Sequence, residues 1–272
     1  MFKKHYDLRA GLKSYLYSAF ETQSRTGLPL ARPLVLDSPD EHETWTIDDQ
    51  FMIGDALMFP PAGMGGPTQL KRTVYFPGTA KSWHSWFDNS TSYKAGQSVE
   101  IDTPIMTAPL FVKGGVPVPF KQRHEEEDGT LELHVWMPHT PVATDCEALD
   151  VDDDEVSWSG IYDDDGETTR YKTHGEHWRA RAGFGAKRCA AGTGAGGRLS
   201  LRFEVSHSSY AVTHERVHWV VRNLPDAVSD VSCARRAGGN GETSDVAWSH
   251  SVGDRELRVT APLGHSCVVG IS

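Results

Sequence analysis

Carboxylates are the first residues here that could do chemistry. Asp37, Asp40, Asp48 and Asp49 follow an apolar segment closely. Two carboxyl groups at a fixed separation suit general acid–base work. Asp40, like Ser38, also reads as a cap for a following helix. A second acidic run, Asp163-Asp164-Asp165-Gly166-Glu167-Thr168, suggests calcium. An EF-hand loop would need an acid at position 161 and Glu at 172, where Ile161 and Lys172 stand. The run therefore reads as a tight Asp-Gly turn with solvated carboxylates. Asp150, Asp152, Asp153 and Asp154 add negative charge upstream without ligand spacing. His174 and His177 bracket Glu176, but their surroundings read as strand and turn, so they are taken as surface histidines. His207 and His214 have no cysteine or carboxylate at useful spacing. No metal ligand is assigned.

Cys146, Cys189, Cys233 and Cys267 form no CxxC pair, so a structural zinc is not expected. Three disulfide pairings are open to them. The preferred reading is free, mostly buried thiols, because four cysteines are few for a disulfide scaffold. Trp83, Trp86, Phe87 and Tyr93 could stack on sugar rings, and the plainer reading is core. Asn89-Ser90-Thr91 is the sole N-x-S/T match, an N-glycosylation acceptor in a secretory context and otherwise a turn. Gly114-Gly115 reads as a turn. There is no G-x-S-x-G elbow, P-loop or dinucleotide fingerprint, and no cofactor is called for.

The elements that must position these groups begin with a helix. Leu8, Leu12, Tyr15, Leu16, Ala19 and Phe20 recur at helical spacing over residues 4–26, and Gly27 then Pro29 end it. Leu28–Leu36 is short, apolar on both faces and fits a buried strand of a parallel sheet. Thr44–Ile53 is predicted as a short helix with Trp45 and Phe51 in the core. From Ala56 onward the chain reads as β-structure. Strands are predicted at Lys71–Phe76, Gln97–Thr103 and Leu131–Met137, and Leu110–Phe120 reads as a strand, a glycine turn and an extended proline segment. Further strands follow at Val156–Tyr162, Thr168–Tyr171, Trp178–Ala180, Leu199–Val205, Val217–Val221, Glu256–Thr260 and Cys267–Ile271. Lys121–Thr130 reads as a linker and Asp145–Asp154 as an exposed loop. Gly185–Gly197 and Arg235–Thr243 read as glycine-rich turns. The stretch Ile47–Ala62 is the joint between an α/β part and an all-β part.

The totals narrow the classes. With 272 residues, 38% hydrophobic and 10% aromatic, the chain can bury a core. Its 27 Lys+Arg against 37 Asp+Glu leave a net charge of −10, which argues against a nucleic-acid partner. No apolar run reaches the roughly 18 residues of a membrane helix. The basic opening residues have no apolar stretch behind them, so no signal peptide is expected within this sequence.

Taken in order, these motifs resemble glycoside hydrolase family 31, the α-glucosidase and α-xylosidase family. Tyr15-Leu16-Tyr17, Arg25-Thr26-Gly27-Leu28-Pro29 and Arg32-Pro33-Leu34 look like its helix leading into the last barrel strand. Pro39-Asp40, Thr44-Trp45 and Asp48-Asp49-Gln50-Phe51 look like the helix after it. Gly54, Ala56-Leu57, Val74-Tyr75-Phe76-Pro77, Trp86-Phe87 and the run from Pro109 to Gly115 continue in the family's order. Tyr162 through Thr168 resembles its distal β-domain. The likeness covers roughly residues 6–180.

The resemblance implies a mainly β chain: the last helix–strand–helix of a (β/α)8 barrel, then two C-terminal antiparallel β-sandwiches. The implied limits are 1–55 for the barrel remnant, 56–122 for the proximal sandwich and 123–272 for the distal one. The family cleaves α-glycosides with retention, using two aspartates about 5–5.5 Å apart. Both lie on earlier barrel strands, as does its substrate histidine, so no catalytic residue is carried over and the substrate-binding residues are unknown. The chain is expected to be the later part of a longer enzyme, through truncation or a misplaced start. It would meet carbohydrate only within that enzyme, with the N-terminal barrel as its packing partner and no membrane contact. A parent with a signal peptide would place it in the endoplasmic reticulum or secretory pathway. The contrasting expectation is a non-catalytic carbohydrate-binding or interaction module. Residues 1–55 are expected to carry an uncovered apolar face, so that 56–272 would be the more soluble piece.

Overall fold

The computed structural model describes residues 2–62, 70–104, 108–121, 129–139, 142–143, 151–189, 196–224, 226–235 and 246–271. Two helices open the chain, α1 (Phe2–Gly11) and α2 (Lys13–Thr26). The single predicted helix is broken at Leu12, with φ −82° and ψ 8°. The break coincides with a close approach: a Cβ on Gly11 would sit 2.5 Å from the Phe120 ring. Gly27 ends α2 as expected, at φ +80°, its N–H donating to the Gln23 carbonyl at 2.8 Å. Leu12 and Tyr15 are buried, but Phe20 is 53% exposed.

Residues 28–53 depart furthest from expectation. Strand β1 (Ala31–Pro33) pairs antiparallel with β2 (Phe51–Ile53) and lies at a sheet edge. It is not a buried strand of a parallel sheet, and its outward residues are exposed. Leu34–Asp37 then forms one helical turn, α3, and His42–Thr46 a 3-10 turn. Thr44–Ile53 is not a helix. Gln50 explains the extended path, since its side chain copies a ladder: Nε2 donates to the Tyr75 carbonyl and Oε1 accepts from the Tyr75 N–H, both at 2.9 Å. Thr44, not Trp45, is buried; Trp45 is 57% exposed and donates to the Pro39 carbonyl.

The proximal strands are β3 (Leu57–Phe59), β4 (Lys71–Phe76), β5 (Trp83–Ser85), β6 (Ser92–Tyr93), β7 (Gln97–Asp102) and β8 (Phe111–Lys113). They form a sheet ordered β1-β2-β3-β8-β5-β6 and a separate β4-β7 pair, all antiparallel. Leu34, Met52, Met58, Val74, Phe76 and Phe111 fill one core between them. A second core joins Leu12 and Tyr15 to Leu57, Leu110, Val112 and Trp136.

The distal strands are β9 (Val118–Pro119), β10 (Thr130–Trp136), β11 (Val142–Ala143), β12 (Ser157–Asp163), β13 (Trp178–Cys189), β14 (Gly197–Ser208), β15 (Arg216–Arg222), β16 (Val228–Arg235), β17 (Ala247–Ser251), β18 (Glu256–Pro262) and β19 (His265–Ile271). One sheet runs β17-β18-β15-β10-β9. The other runs β11-β13-β14-β19-β16, with β12 on β13. Pairing is not wholly antiparallel, because β10 runs parallel to β15 and β11 to β13. Residues 168–171 are not a strand; Arg170–Thr173 is a helical turn, α4. Strand β13 extends through Cys189, into the stretch predicted as turn. Residues 190–195 of that stretch, 122–128 of the predicted linker, 145–150 of the acidic loop with Cys146, and 236–243 lie outside the described residues. Cys233 and Cys267 face each other on β16 and β19 and form a disulfide, correcting the free-thiol reading for this pair.

Strand β10 holds the two halves together. Leu131, Leu133 and Val135 enter the distal core with Trp178, Phe203 and Trp219. The alternate residues Glu132, His134 and Trp136 are buried on the opposite face, where Trp136 packs 4.9 Å from Trp86. The alternation is real, but both faces are covered.

Candidate functional site

Two of the four early carboxylates, Asp37 and Asp49, are held by different cations. Asp37 Oδ1 accepts from Arg32 Nη2 at 2.9 Å and Oδ2 from Lys113 Nζ at 2.7 Å. Arg32 is only 4% exposed and also donates to Asp55, at 2.8 Å. Both oxygens of Asp37 are thus engaged in a charge cluster joining β1, α3 and β8, with the exposed Asp55 at its edge. Such clusters persist only when every charge is paired. Asp49 pairs with Arg72 of β4 at 2.6 Å. Asp40 and Asp48 are exposed. Asp40 caps no helix, since the 3-10 turn is entered at Glu41 without a side-chain bond; Ser38 instead meets the Thr79 hydroxyl at 3.0 Å.

The acidic turn splits by environment. Asp165 is solvated and ties the turn, accepting from the Thr168 hydroxyl at 2.6 Å and from the Glu167 and Thr168 N–H groups. These bonds, the Thr168 hydroxyl first, lower its pKa. Asp164 is the correction: it is 7% exposed and accepts from the hydroxyls of Tyr17 and Tyr162 and from the Gly166 N–H. It therefore binds α2 to the distal unit. Burial, then the bond to Asp164, raises the pKa of both tyrosines. Beside them the Ser18 hydroxyl accepts from the Tyr162 N–H at 3.0 Å, and Arg179 reaches Glu21 at 2.5 Å. His174 is exposed. His177 stacks on His207 at 4.1 Å and on Tyr162 at 5.7 Å.

The tryptophan group divides between two cores. Phe76 stacks on Tyr93 at 4.3 Å, with Trp83 and Phe111 around it. Trp86 lies with Trp136 and Phe120. Phe87 alone is exposed, under Lys4. Asn89 is partly buried, and its Oδ1 accepts from Arg222 Nη1 at 3.0 Å. Gly114 marks a close approach, for a Cβ there would lie 2.3 Å from Ser82 Oγ. The Gly115 N–H donates to the Trp136 carbonyl at 2.8 Å, bridging the β8–β9 turn to β10.

Two histidines are buried in neutral form at this seam. His134 Nδ1 accepts from Arg222 Nε at 3.1 Å, and its Nε2–H donates to Glu132. Burial, then the Arg222 charge, lowers its pKa well below the usual value. His84 lies between Ser82 and Asn223, and burial, then the charges of His139 and Arg255, lowers its pKa to about 3.

The uncovered apolar face expected of residues 1–55 is present. An apolar groove of about 460 Å3 runs along α1 and α2, walled by Leu8, Leu16, Phe20, Leu30, Ile53 and Phe59. The helical stripe is wider than the rest of the chain covers. Phe20 at its edge is the exposed residue of that stripe.

Residues 27–116 match the glycosyl hydrolase family 31 C-terminal domain. Neutral α-glucosidase C of Mus musculus is 32% identical over 165 residues, 60% of this chain and 17% of that protein. A probable α-glucosidase of Oryza sativa is 30% identical over 211 residues, 77% of this chain and 22% of that protein. The chain thus spans about a fifth of these relatives. A family 31 dextranase of Flavobacterium johnsoniae superposes over 98% of this chain and 32% of its own, with TM-score 0.72 and 20% identity, a likeness of fold. The α subunit of glucosidase II does so over 98% and 28%, with TM-score 0.63 and 16% identity. On the matched domain and these relatives, the chain belongs to the C-terminal region of glycosyl hydrolase family 31.

Proposed function

We propose that the chain is the supporting C-terminal part of a retaining α-glycosidase of the α-glucosidase type, with glucosidase II catalytic subunits among its kin. The apolar groove on α1 and α2 carries this reading. An uncovered apolar groove asks for a packed neighbour, and the dextranase extends well beyond the part that this chain matches. The neighbour is a preceding catalytic barrel. Helices α1 and α2 then pack on the end of that barrel, while β1 to β8 act as the proximal β-domain and β9 to β19 as the distal one.

The two catalytic aspartates stand in the barrel, and carbohydrate meets this chain within the complete enzyme. None of Asp37, Asp40, Asp48 and Asp49 takes their place. Asp37 and Asp49 are bound to cations, and no wall around Asp40 and Asp48 excludes water. Asn89 is the glycan acceptor if the enzyme enters the secretory pathway.

The test has two parts. The purified chain is assayed on p-nitrophenyl α-glucoside, and the endogenous protein is sized by mass spectrometry. The expected result is no turnover above buffer and an endogenous mass well above the chain's 30.0 kDa. Turnover that scales with protein and disappears in Asp37→Asn, or an endogenous mass equal to the chain's, would overturn the reading.

A further inference from the structure

A second concavity, about 330 Å3, opens where α2 meets β12 and β13. Ligand clefts of small molecules start at about this size. Its walls differ from those of the apolar groove. Tyr17, Tyr162 and His177 form a continuous aromatic wall, with ring centroids 5.8 Å and 5.7 Å apart in turn. Tyr171, half-buried on the α4 turn, and the exposed Phe20 stand at its rim.

The polar groups are balanced. Glu21 and Asp164 face Arg25 and Arg179, two carboxylates against two guanidinium groups. A net charge of zero disfavours anions and cations alike as ligands. Glu21 accepts from both arginines, at 3.3 Å and 2.5 Å, which holds its carboxylate at the cleft wall. Arg179 Nε is buried and donates to no described residue.

Apolar ring faces beside a neutral set of donors and acceptors match one chemical class. A pyranose offers a C–H face to aromatic rings and vicinal hydroxyls to carboxylate and guanidinium groups. We propose that this cleft binds a neutral pyranoside oligosaccharide, with a sugar ring against Tyr171 and hydroxyls on Glu21 and Arg179. The cleft is built wholly from residues of this chain, and it shares only Phe20 with the apolar groove. Binding here would be non-catalytic, since Asp164 is fully engaged by two tyrosines and a backbone N–H.

Affinity electrophoresis of the full chain in gels with dextran, soluble starch or heparin tests this. The neutral glucans are expected to retard the wild type, and heparin to leave it unchanged. Tyr171→Ala and Arg179→Met are expected to lose about tenfold in affinity each, the scale of one aromatic contact or one hydrogen bond. Tyr171→Phe keeps the ring and should keep the retardation. Phe87→Ala, a distant exposed aromatic, should behave as wild type, and circular dichroism confirms that each variant is folded. The proposal is overturned by wild-type mobility unchanged in both neutral gels, by retardation in heparin alone, or by equal retardation of Tyr171→Ala and Arg179→Met.

Discussion

The distal and proximal parts of the molecule treat apolar surface in opposite ways. The distal part closes on itself. Its two sheets face each other over Trp178, Phe184, Phe203 and Trp219, each no more than 1% exposed, and a disulfide joins neighbouring strands of one sheet. The proximal part splits its apolar residues between two cores and leaves a groove on α1 and α2 open. Its buried charges, Arg32, Asp37 and Lys113, are spent on pinning loops together. The distal part keeps its largest side chains in one shared core, whereas the proximal part keeps a groove open, shaped for something that covers it.

Four experiments can break or sharpen that contrast. The largest effect is expected in the distal core, where Trp219→Ala should cost about 3–5 kcal/mol by urea denaturation. The matching change in the groove, Phe20→Ala, should cost less than about 1 kcal/mol, because the ring is exposed. Equal costs would erase the distinction. Next, replacing Cys233 and Cys267 with serine should cost about 2–4 kcal/mol through the loop of 34 residues it frees, and reductant should do the same to the wild type. An unchanged midpoint under both treatments would mean that the distal unit does not depend on this link.

A smaller effect is expected from the helix contact. The Tyr15 hydroxyl donates to the Ile53 carbonyl at 2.7 Å and accepts from the Ala56 N–H at 2.9 Å. Tyr15→Phe leaves both backbone groups without a partner and should cost about 1–3 kcal/mol. The smallest is acid. His84 and His134 have folded pKa values below the unfolded value of about 6.5. Below that pH the unfolded chain binds more protons than the folded one, so stability falls as pH falls, from about 6.5 toward about 3 for His84. Between pH 6.5 and 5.5 each histidine should remove about 1 kcal/mol, read as the shift in urea midpoint. A flat profile over that range would mean that the seam tolerates charge.

Much of the β-structure was legible because alternation is local. Lys71–Phe76, Gln97–Asp102 and Val217–Val221 carry their pattern in their own residues. Val228–Arg235 and Ala247–Ser251 went unread: the first mixes Ser and Asp among its apolar residues, and the second lies at a sheet edge with exposed side chains. Residues 28–53 misled because proline-bounded apolar residues suit a buried strand, while the true path depends on Gln50 reaching Tyr75, 25 positions away. The fate of Asp37 was equally hidden, since Lys113 lies 76 residues on. The disulfide needed the register of β16 on β19. The packing supports the opposite of the solubility expectation: Leu12, Tyr15, Leu34 and Met52 sit inside cores completed by later strands, so 56–272 is expected to expose those cores.

Strand β10 has a consequence for how such chains diverge. Six of its seven residues are divided between two interiors, Leu131, Leu133 and Val135 on one side and Glu132, His134 and Trp136 on the other. A recombination event that cut on either side of it would hand each descendant half of a core. The two halves are therefore expected to pass on as one block, because a substitution on β10 must satisfy both neighbours at once.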